Sequence, residues 1–390
     1  MSAPRLLFLT HTGMLGGAER SLLDLAEAWP DERRLLTLAE GPLTEAARAR
    51  GIPVTVEPSG KLATVKRESG APGLGALADV ARLSASVARE AKGFDAIHAN
   101  SQKAFVVAAA AGLLARRPVV WHLRDILTTA HFSATNIRAA VLLANARAAM
   151  VIANSEATAA AFRAAGGDAD RVRVVHNGID PARFDAVTDA DAAARRAELG
   201  AGDACVLAVC ARLAPWKGQH VALAALAVLP DAHAWIIGKA LFGEDAYARG
   251  LVDHAVSIGV FDRVRFVGER EDVPALLRAA DLVLHTAVEA EPFGRVVVEG
   301  MLARRPVIAT DAGGVREILR HGETGWLVPP GDPAALADTV RQVRAMDAAA
   351  REAVVARARA EAAARFTVRA MVDGVARALG EVVSGHPRPR

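Results

Sequence analysis

Two glutamates separated by a turn form the most informative pattern in the chain. Glu291 and Glu299 lie eight residues apart in EAEPFGRVVVEG, where the Pro-Phe-Gly turn predicts the start of a helix that carries Glu299. Residues i and i+8 project to a similar face, and backbone N–H groups from Phe293 to Val296 should point outward at the helix start. The helix dipole favours an anion such as a diphosphate there, and Glu299 could bind ribose hydroxyls. The alternative is an ordinary surface helix with scattered acidic side chains, and spacing alone leaves both interpretations open.

Two cations five residues apart form a second pattern. Arg212 and Lys217 flank a proline-containing loop in VCARLAPWKG, directly after an apolar run with strand character. The planar guanidinium of Arg212 can hold phosphate oxygens in pairs, while Lys217 adds a compact charge, so together they would neutralise a nucleotide-diphosphate leaving group. Loops at the carboxyl ends of parallel strands are where α/β proteins place ligands, which favours this interpretation over two solvated surface charges. We interpret Trp216 as a packing anchor of the loop.

A glycine pair follows the first predicted strand. Gly16 and Gly17 in TGMLGGAER precede the first predicted helix, and glycines in that position let the backbone approach a phosphate closely. The segment has neither the G-x-G-x-x-G dinucleotide fingerprint nor the G-x-x-x-x-G-K-[ST] P-loop. NAD binding and ATP hydrolysis are therefore not supported.

The elements that must position these residues show a repeated pattern. Short apolar runs alternate with longer Ala- and Leu-rich stretches of helical period, which predicts an α/β fold with parallel sheets covered on both faces. The predicted strands lie at 6–9, 96–97, 119–121 and 150–152, and then at 206–210, 234–237, 265–267, 282–285 and 307–309. Two Rossmann-like domains are therefore expected.

The domain boundaries follow from breaker residues. Asn-Gly and Asp-Pro pairs between 177 and 181 interrupt regular structure, and a polar, Ala- and Asp-rich stretch follows. We predict an N-terminal acceptor domain at 1–182, a linker at 183–202 and a C-terminal donor domain at 203–365. A final amphipathic helix within 366–390 is expected to cross back to the N-terminal domain. Residues 59–75 are rich in breakers and predict a long exposed loop.

Composition limits the class of protein. With 390 residues, 52% of them hydrophobic, the chain can build two cores, which excludes intrinsic disorder. Its 47 basic and 44 acidic residues give a net charge of only +3, so a dedicated nucleic-acid binder is not expected. Cys205 and Cys210 would lie on opposite faces of one strand and cannot easily bridge, which fits a reducing compartment.

The sequence predicts no segment that spans a membrane. The apolar run at the amino terminus is too short for a signal-peptide core, and no later run approaches the roughly 20 residues needed to span a bilayer. We therefore expect a cytoplasmic protein, either free or at the inner face of the membrane. Arg116 and Arg117 are interpreted as helix-end charges, although with Lys61, Lys66 and Arg67 they could form a peripheral contact with anionic lipid.

Two Asp-Ala-Asp sequences have spacing that could hold a metal bridging a diphosphate. They lie at 168–170 and 189–191, both in Ala-rich connecting segments. Because Arg212 and Lys217 already supply positive charge for a diphosphate, we interpret these aspartates as solvated turns and expect no metal.

Taken together, these segments resemble the retaining GT-B glycosyltransferases of family 4, from the Gly-Gly turn to the terminal helix. The resemblance implies two Rossmann-like domains facing across a cleft. It also implies that Glu291 contacts the donor sugar, that Glu299 binds ribose, and that His122 in VWHLRD lies near the transferred carbon, so Glu291 and His122 are the catalytic candidates. The residues implied to hold the donor diphosphate are Gly16, Gly17, Arg212, Lys217, Phe293, Gly294, Arg295 and Val296.

Three positions depart from the family pattern. Ala211 stands where glycine commonly precedes the arginine, and Arg295 stands where an aliphatic residue is common. Arg304 occupies a position often held by a helix-ending glycine, and we expect it to mark a shifted helix end. None of the three removes a group that the inferred chemistry needs.

The resemblance implies a metal-independent, retaining glycosyltransferase that moves a sugar from a nucleotide-diphosphate sugar to an acceptor hydroxyl. A UDP-sugar is favoured as donor, with a GDP-sugar as the alternative, and no cofactor is expected. The acceptor could be a glycan, a lipid-linked molecule or a small molecule. Two alternative functions stay open: a GT-B nucleotide-sugar 2-epimerase or hydrolase, and a non-catalytic nucleotide-sugar-binding partner.

Overall fold

A computed structural model describes residues 3–60 and 74–384. The chain forms two compact units, Met1–Gly178 with Val368–Arg390, and Ile179–Thr367. Most of the predicted loop at 59–75 lies outside the described residues, and so do Lys61, Lys66 and Arg67.

The first unit contains a seven-stranded parallel sheet with strand order β3-β2-β1-β4-β5-β6-β7. Its strands are β1 (Leu6–Thr10), β2 (Arg33–Thr37), β3 (Val54–Val56), β4 (Ala96–Ala99), β5 (Val119–Leu123), β6 (Met150–Ala153) and β7 (Val172–Val174). In register, Leu6 aligns with Arg33 of β2 and with Ala96 of β4. The chain order reverses between β1 and β4, so the crevice at their carboxyl ends is the topological switch point of the sheet.

Helices cover both faces of this sheet. They are α1 (Gly17–Glu27), α2 (Pro42–Ala49), α3 (Leu74–Ala91), α4 (Gln102–Ala115), α5 (Ala134–Arg147), α6 (Glu156–Ala164) and α15 (Val368–Ser384). Alternating side chains of β1 enter different cores: Leu7 and Leu9 belong to one buried cluster, and Leu6 and Phe8 to the other. The second cluster also contains apolar residues of α15, which places the predicted final helix in the first unit.

The second unit repeats the arrangement with six parallel strands in the order β10-β9-β8-β11-β12-β13. Its strands are β8 (Cys205–Cys210), β9 (Ala232–Ile237), β10 (Val264–Gly268), β11 (Leu282–His285), β12 (Val307–Thr310) and β13 (Trp326–Val328). Its helices are α7 (Ala182–Asp185), α8 (Asp189–Glu198), α9 (Gln219–Ala227), α10 (Asp245–Ser257), α11 (Val273–Ala279), α12 (Arg295–Leu302), α13 (Pro333–Ala345) and α14 (Ala348–Arg365). Here the topological switch point lies between β8 and β11.

The structure differs from the predicted linker at residues 183–202. This segment contains α7 and α8, and α8 packs against α11 within the second unit. A capping box begins α8, because Thr188 accepts a hydrogen bond from the N–H of Asp191 and the Asp191 carboxylate accepts one from the N–H of Thr188. Alanine, arginine and glutamate are also strong helix formers, so the polar composition belongs to the solvated face of a helix. The chain passes between units at Gly178–Ile179 and at Thr367–Val368.

The first Asp-Ala-Asp sequence also serves local structure. The Asp168 carboxylate accepts a hydrogen bond from the N–H of Asp170 and pairs with Arg171. Asp168 therefore caps a short turn, and Asp191 completes the capping box of α8.

Arg304 does not mark a shifted helix end, and that expectation is wrong. The helix α12 ends at Leu302, and Arg304 adopts the left-handed conformation, φ +57°, that a terminal glycine would have. The N–H of Arg305 donates to the carbonyl of Gly300 at 3.2 Å and the N–H of Arg304 to that of Met301 at 3.1 Å, which completes a Schellman motif. The helix α12 therefore ends in a Schellman motif in which arginine occupies the left-handed position that usually holds glycine.

Replacing Arg304 with glycine should stabilise the second unit. The left-handed conformation costs an L-residue about 1–2 kcal/mol, and the 3.7 Å contact of Arg304 with Asp185 is exposed and stabilises little. We expect a rise of about 2–4 °C in the thermal midpoint of this unit, measured by calorimetry. Arg304→Ala, which keeps the strain and removes the ion pair, is the matched control and should not raise the midpoint.

None of the helices within the described ranges combines the length and apolarity needed to cross a membrane.

Candidate active site

The loop after β8 is held against the segment that follows β11. The hydroxyl of Thr286 donates to the carbonyl of Lys217 at 3.1 Å, and the N–H of Val288 donates to that of Trp216 at 2.9 Å. Gly218 has φ +68°, and a Cβ at this position would lie 1.9 Å from the carbonyl oxygen of Thr286. The close approach therefore requires glycine, and it fixes the Arg212–Lys217 loop at the topological switch point.

Lys217 forms an ion pair with Glu291 across this switch point. The side chains are only 16% and 12% exposed, so the pair is largely removed from water. The ammonium group also lies 4.0 Å from the centroid of the Trp216 ring, a favourable cation–π contact. Trp216 thus packs against the lysine, as expected for an anchor of the loop.

Glu291 is held in its charged form. Burial alone would raise the pKa of its carboxyl group, but Lys217 and His285 outweigh burial and lower that pKa to about 2. His285 lies at the end of β11, with its Nε2 3.4 Å from the Glu291 carboxylate and its Nδ1 3.2 Å from the hydroxyl of Thr310 at the end of β12. Donation from Nε2 and acceptance at Nδ1 satisfy both contacts with one tautomer.

Two glycines hold the backbone of Glu291. The N–H of Gly314 donates to the carbonyl of Glu291 at 2.8 Å. Gly313 has φ +63°, and a Cβ there would lie 2.2 Å from the same carbonyl oxygen. The glutamate is therefore fixed through its main chain as well as through its carboxylate.

The helix predicted after the Pro-Phe-Gly turn is α12. Its N-cap, Gly294, has φ +101° and offers no side-chain cap. Phe293 and Val296 are buried in the core, so only their backbone can face a ligand. The carboxylate of Glu299 lies 3.6 Å from the guanidinium of Arg295, one turn earlier in the helix. Arg295, which departs from the family pattern, is thus the neighbour of the predicted ribose-binding carboxylate.

The Arg212 side chain lies near two aromatic rings, one on its own loop and one on the loop after β9. Its guanidinium carbon is 5.6 Å from the centroid of Trp216 and 5.1 Å from that of Phe242. The fully buried Gln219 donates from its amide to the carbonyl of Arg212 at 2.9 Å, which fixes the backbone of the arginine. Arg212, Lys217 and Glu291 therefore come together at one edge of the second sheet.

Gly16 and Gly17 lie at the switch point of the first sheet. Gly16 is the N-cap of α1, and Gly17, the first residue of this helix, is exposed. The side chain of Glu19 is buried and turns back toward the N-cap, where a Cβ on Gly16 would lie 2.9 Å from its carboxylate. Burial raises the pKa of Glu19, although backbone N–H groups of Glu19 and Gly16 and the charge of Arg124 partly offset that effect. A carboxylate thus already occupies the N-terminus of α1, and the assignment of the two glycines to a phosphate stays a prediction.

Replacing Glu19 with glutamine should stabilise the first unit at neutral pH. Because the pKa of Glu19 is raised in the folded state, burying its charge costs stability. This cost appears as the pH rises from the pKa of Glu19 in the unfolded chain toward its pKa in the folded protein. Glutamine keeps a carbonyl acceptor for Gly16 without a charge. In urea denaturation the variant should have a higher free energy of unfolding than the native chain at pH 7, and this difference should shrink toward pH 4. An equal difference in the free energy of unfolding at both pH values would show that the charge of Glu19 is not the cause.

His122, the second catalytic candidate, lies in the sheet of the first unit. It is fully buried within β5, and its Nδ1 lies 3.0 Å from Nε2 of His98 on the neighbouring strand. Burial, together with the positive charge of Arg124, lowers the pKa of His122 well below its usual value. His122 therefore lies within the strand and is shielded from solvent, and its role near the transferred carbon stays a prediction.

Arg124, immediately after β5, is the site residue that sequence reasoning missed. Its side chain is 6% exposed and donates to Oδ1 of Asn100 at 2.9 Å, to the Ser21 hydroxyl at 3.2 Å and to Oδ1 of Asn177. The sequence carried a signal, because polar residues directly follow strands β4 and β5. Arg124 is a buried cation at the carboxyl edge of the first sheet.

Each unit has the strand order of a doubly wound nucleotide-binding fold, and the second has charged loops at its switch point. Two such domains in one chain define the GT-B class, which the structural comparisons also show. Residues 15–183 match the family model described as Glycosyltransferase Family 4, and residues 191–361 match the model described as Glycosyl transferases group 1. The chain belongs to glycosyltransferase family 4.

Solved structures of similar proteins cover nearly the whole chain. The chain is 40% identical to Anabaena Alr3699/HepE, which was crystallised in complex with UDP-glucose. The two structures superpose with a TM-score of 0.89, and the match covers 97% of this chain and 100% of that one. A glycosyltransferase from Rickettsia africae is 16% identical, with a TM-score of 0.80 over 97% of this chain and 99% of that chain, and shows the fold alone.

Curated relatives match over a shorter range. The D-inositol 3-phosphate glycosyltransferase of Mycolicibacterium gilvum is 35% identical over 222 residues, which are 56% of this chain and 48% of the relative. The protein of the same name from Mycolicibacterium smegmatis is 35% identical over 229 residues, 57% of this chain and 51% of the relative. The chain thus spans about half the length of the curated relatives it matches.

Proposed function

We propose that this protein transfers a sugar from a nucleotide-diphosphate sugar to an acceptor hydroxyl. The observation that carries the proposal is the Lys217–Glu291 ion pair at the switch point of the second sheet, with Arg212 on the same loop and Glu299 on the helix that follows. The bound UDP-glucose of Alr3699/HepE supports a UDP-sugar as the donor, with a GDP-sugar as the alternative. We propose that the protein acts in the cytoplasm.

The ion pair suggests how the donor is received. Without a diphosphate, Lys217 neutralises Glu291. When the diphosphate binds, its oxygens would compete for the lysine, and the carboxylate of Glu291 could accept hydrogen bonds from sugar hydroxyls. Glu299 would accept from the ribose after exchanging its contact with Arg295. Each binding step thus replaces a contact already present in the protein, and each carboxylate exchanges a cation for neutral hydroxyl donors.

Departure of the nucleotide diphosphate would be stabilised by fixed charges. Negative charge grows on the leaving phosphate in the transition state, and preorganised donors at that point lower the barrier most. Arg212, Lys217 and the N-terminus of α12 are placed to supply them. With two cations and a helix terminus for the diphosphate, we propose that transfer requires no metal. Activity that survives exhaustive chelation by EDTA would support this part of the proposal, and activity restored only by a divalent cation would contradict it.

Retention of the anomeric configuration fits the charge state of Glu291. Without bound donor, Lys217 and His285 hold the pKa of Glu291 at about 2, so in that state the carboxyl group is a weak base, poorly suited to take the acceptor proton. The leaving phosphate itself could take that proton on the same face of the sugar. The product should therefore have the same anomeric configuration as the donor, and an NMR spectrum of purified product would decide the point.

The first test of the function is a thermal-shift panel of UDP, GDP and ADP, because a ligand that prefers the folded state raises its stability. The sugar donor of the preferred nucleotide is then incubated with and without acceptor. Nucleotide release that depends on the acceptor would support transfer. An epimerised sugar would favour the 2-epimerase, and binding without any turnover would favour a non-catalytic partner.

For the acceptor, we propose a hydroxylated ring compound that carries a phosphate, because the curated relatives are named for inositol 3-phosphate. Inositol 3-phosphate, free inositol and a short glycan form a suitable panel. Faster transfer to the phosphorylated compound would support this acceptor class, whereas a preference for the glycan would assign the protein to the glycan or lipid-linked acceptors instead.

A further inference from the structure

Phe242 has a backbone conformation that is unusual for a bulky residue, in a turn at 242–244 where Gly243 also has a positive φ of +90°. It lies in the loop between β9 and α10 with φ +59°, in the left-handed region that favours glycine. Within the described part of the chain, the other non-glycine residues with positive φ are Arg116 and Arg304. Both of these end helices, where the left-handed conformation is a common termination, but Phe242 ends no helix.

Core packing does not account for the strain either. Phe242 is 56% exposed, so more than half of its surface stays in contact with water. Its ring instead lies 5.1 Å from the guanidinium carbon of Arg212, and the ring of Trp216 lies 5.6 Å from the same carbon. Both distances are within the range of a cation–π contact. Strained residues of this kind concentrate at ligand-binding sites, where the surrounding structure holds them in place.

The backbone ties this loop to Arg212. The N–H of Leu213 donates to the carbonyl of Lys239 at 3.0 Å, and Leu213 and Ala240 form a parallel bridge. The segment that leads into Phe242 therefore runs beside Arg212 as a short continuation of the sheet. This pairing sets the distance between the arginine and the loop, while the left-handed turn at Phe242 directs its ring toward the guanidinium.

We propose that Phe242 is a positioning residue for donor binding, which holds the Arg212 guanidinium, together with Trp216, where it meets the diphosphate. The inference rests on the proposed function of Arg212. An arginine side chain loses rotamer freedom when it binds a ligand, and a side chain that is already oriented loses less. The exposed ring thus strengthens binding through Arg212 without contacting the donor itself.

The test begins with Phe242→Gly, measured by calorimetric titration with UDP. This substitution removes the ring and relieves the backbone strain, so we expect affinity to fall by about threefold to tenfold while the thermal midpoint does not fall. A residue with a merely structural role would lower the midpoint. Arg304→Gly, which relieves the same strain at a helix end, is the matched control and should bind UDP as the native chain does. Phe242→Trp keeps an aromatic face and should restore affinity.

A double-mutant cycle with Arg212→Ala separates positioning from direct contact. If Phe242 acts through Arg212, adding Phe242→Gly to Arg212→Ala should weaken UDP binding no further. An equal loss in both backgrounds would show that the ring contacts the ligand itself and would overturn the inference, as would native affinity in Phe242→Gly. Unchanged UDP affinity in Arg212→Ala would contradict the proposed diphosphate site, and the inference with it, so the two failures are distinguishable.

Discussion

Replacing Lys217 with alanine should reduce sugar transfer by roughly 100-fold, because a charged hydrogen bond to the departing diphosphate is lost. The same change leaves the carboxylate of Glu291 largely buried without its cation. Breaking a buried pair in this way costs about 3–5 kcal/mol, so the second unit should also lose stability. Steady-state kinetics with the preferred donor and denaturant unfolding measure the two effects separately.

The chain offers a matched control in the same unit. Lys239 pairs with Glu269, but these side chains are 46% and 36% exposed, and solvent screens such a pair. Lys239→Ala should therefore change stability by less than about 1 kcal/mol. Equal losses in Lys217→Ala and Lys239→Ala would contradict the importance of burial at the Lys217–Glu291 pair.

Adding Glu291→Gln to Lys217→Ala separates folding from function. The neutral amide removes the unpaired buried charge, so much of the lost stability should return, whereas transfer should stay low because the cation is still absent. If stability stayed as low as in the single variant, the buried charge of Glu291 would not be the cause of the loss.

The pH dependence of stability has opposite signs with and without Lys217. In the native chain the folded-state pKa of Glu291 is lowered to about 2, so its contribution is fully present above the unfolded pKa near 4.5 and is lost as the pH falls through about 2. In Lys217→Ala the pKa of Glu291 should rise, because burial is less offset. The stability difference between the two proteins should therefore shrink as the pH falls from 7 toward 4.

The second-unit site was the part of the molecule that the sequence predicted best. Arg212 and Lys217 follow one strand and Glu291 follows another, and the structure places these strands, β8 and β11, side by side at the switch point. The prediction was possible because the positions depend on local rules: apolar runs form parallel strands, and ligands lie at their carboxyl ends. The predicted helix carrying Glu299 is likewise confirmed by α12.

What sequence reasoning missed depends on where a strand or helix ends. His122 and Arg124 are two residues apart, and the end of β5 at Leu123 places the first within the strand and the second in the loop that follows it. Arg304 shows the same limitation, because a Schellman motif depends on backbone hydrogen bonds that residue type does not reveal. The ring of Phe242 contacts Arg212, which lies 30 positions earlier in the chain, and no local pattern predicts this contact.

Replacing Arg124 with methionine should destabilise the first unit by about 3–5 kcal/mol, because the side-chain amide oxygens of Asn100 and Asn177 and the hydroxyl of Ser21 each lose a buried charged donor. Methionine keeps much of the side-chain volume, so loss of the hydrogen bonds dominates. The neighbouring Glu19 loses a favourable charge, and its pKa should rise further. Denaturant unfolding measures the stability change.

Arg117→Met is the matched control for Arg124→Met. Arg117, at the end of α4, donates to backbone carbonyls on the surface, and its loss should cost less than about 1 kcal/mol. Arg124→Lys should give an intermediate loss, because an ammonium keeps the charge but cannot reach three acceptors with a planar fork. Hydrogen exchange at Asn177 and Gly178 should increase in Arg124→Met, since the arginine holds the Asn177 side chain. Native exchange rates there, with only a global loss of stability, would mean that Arg124 stabilises the core without fixing this segment.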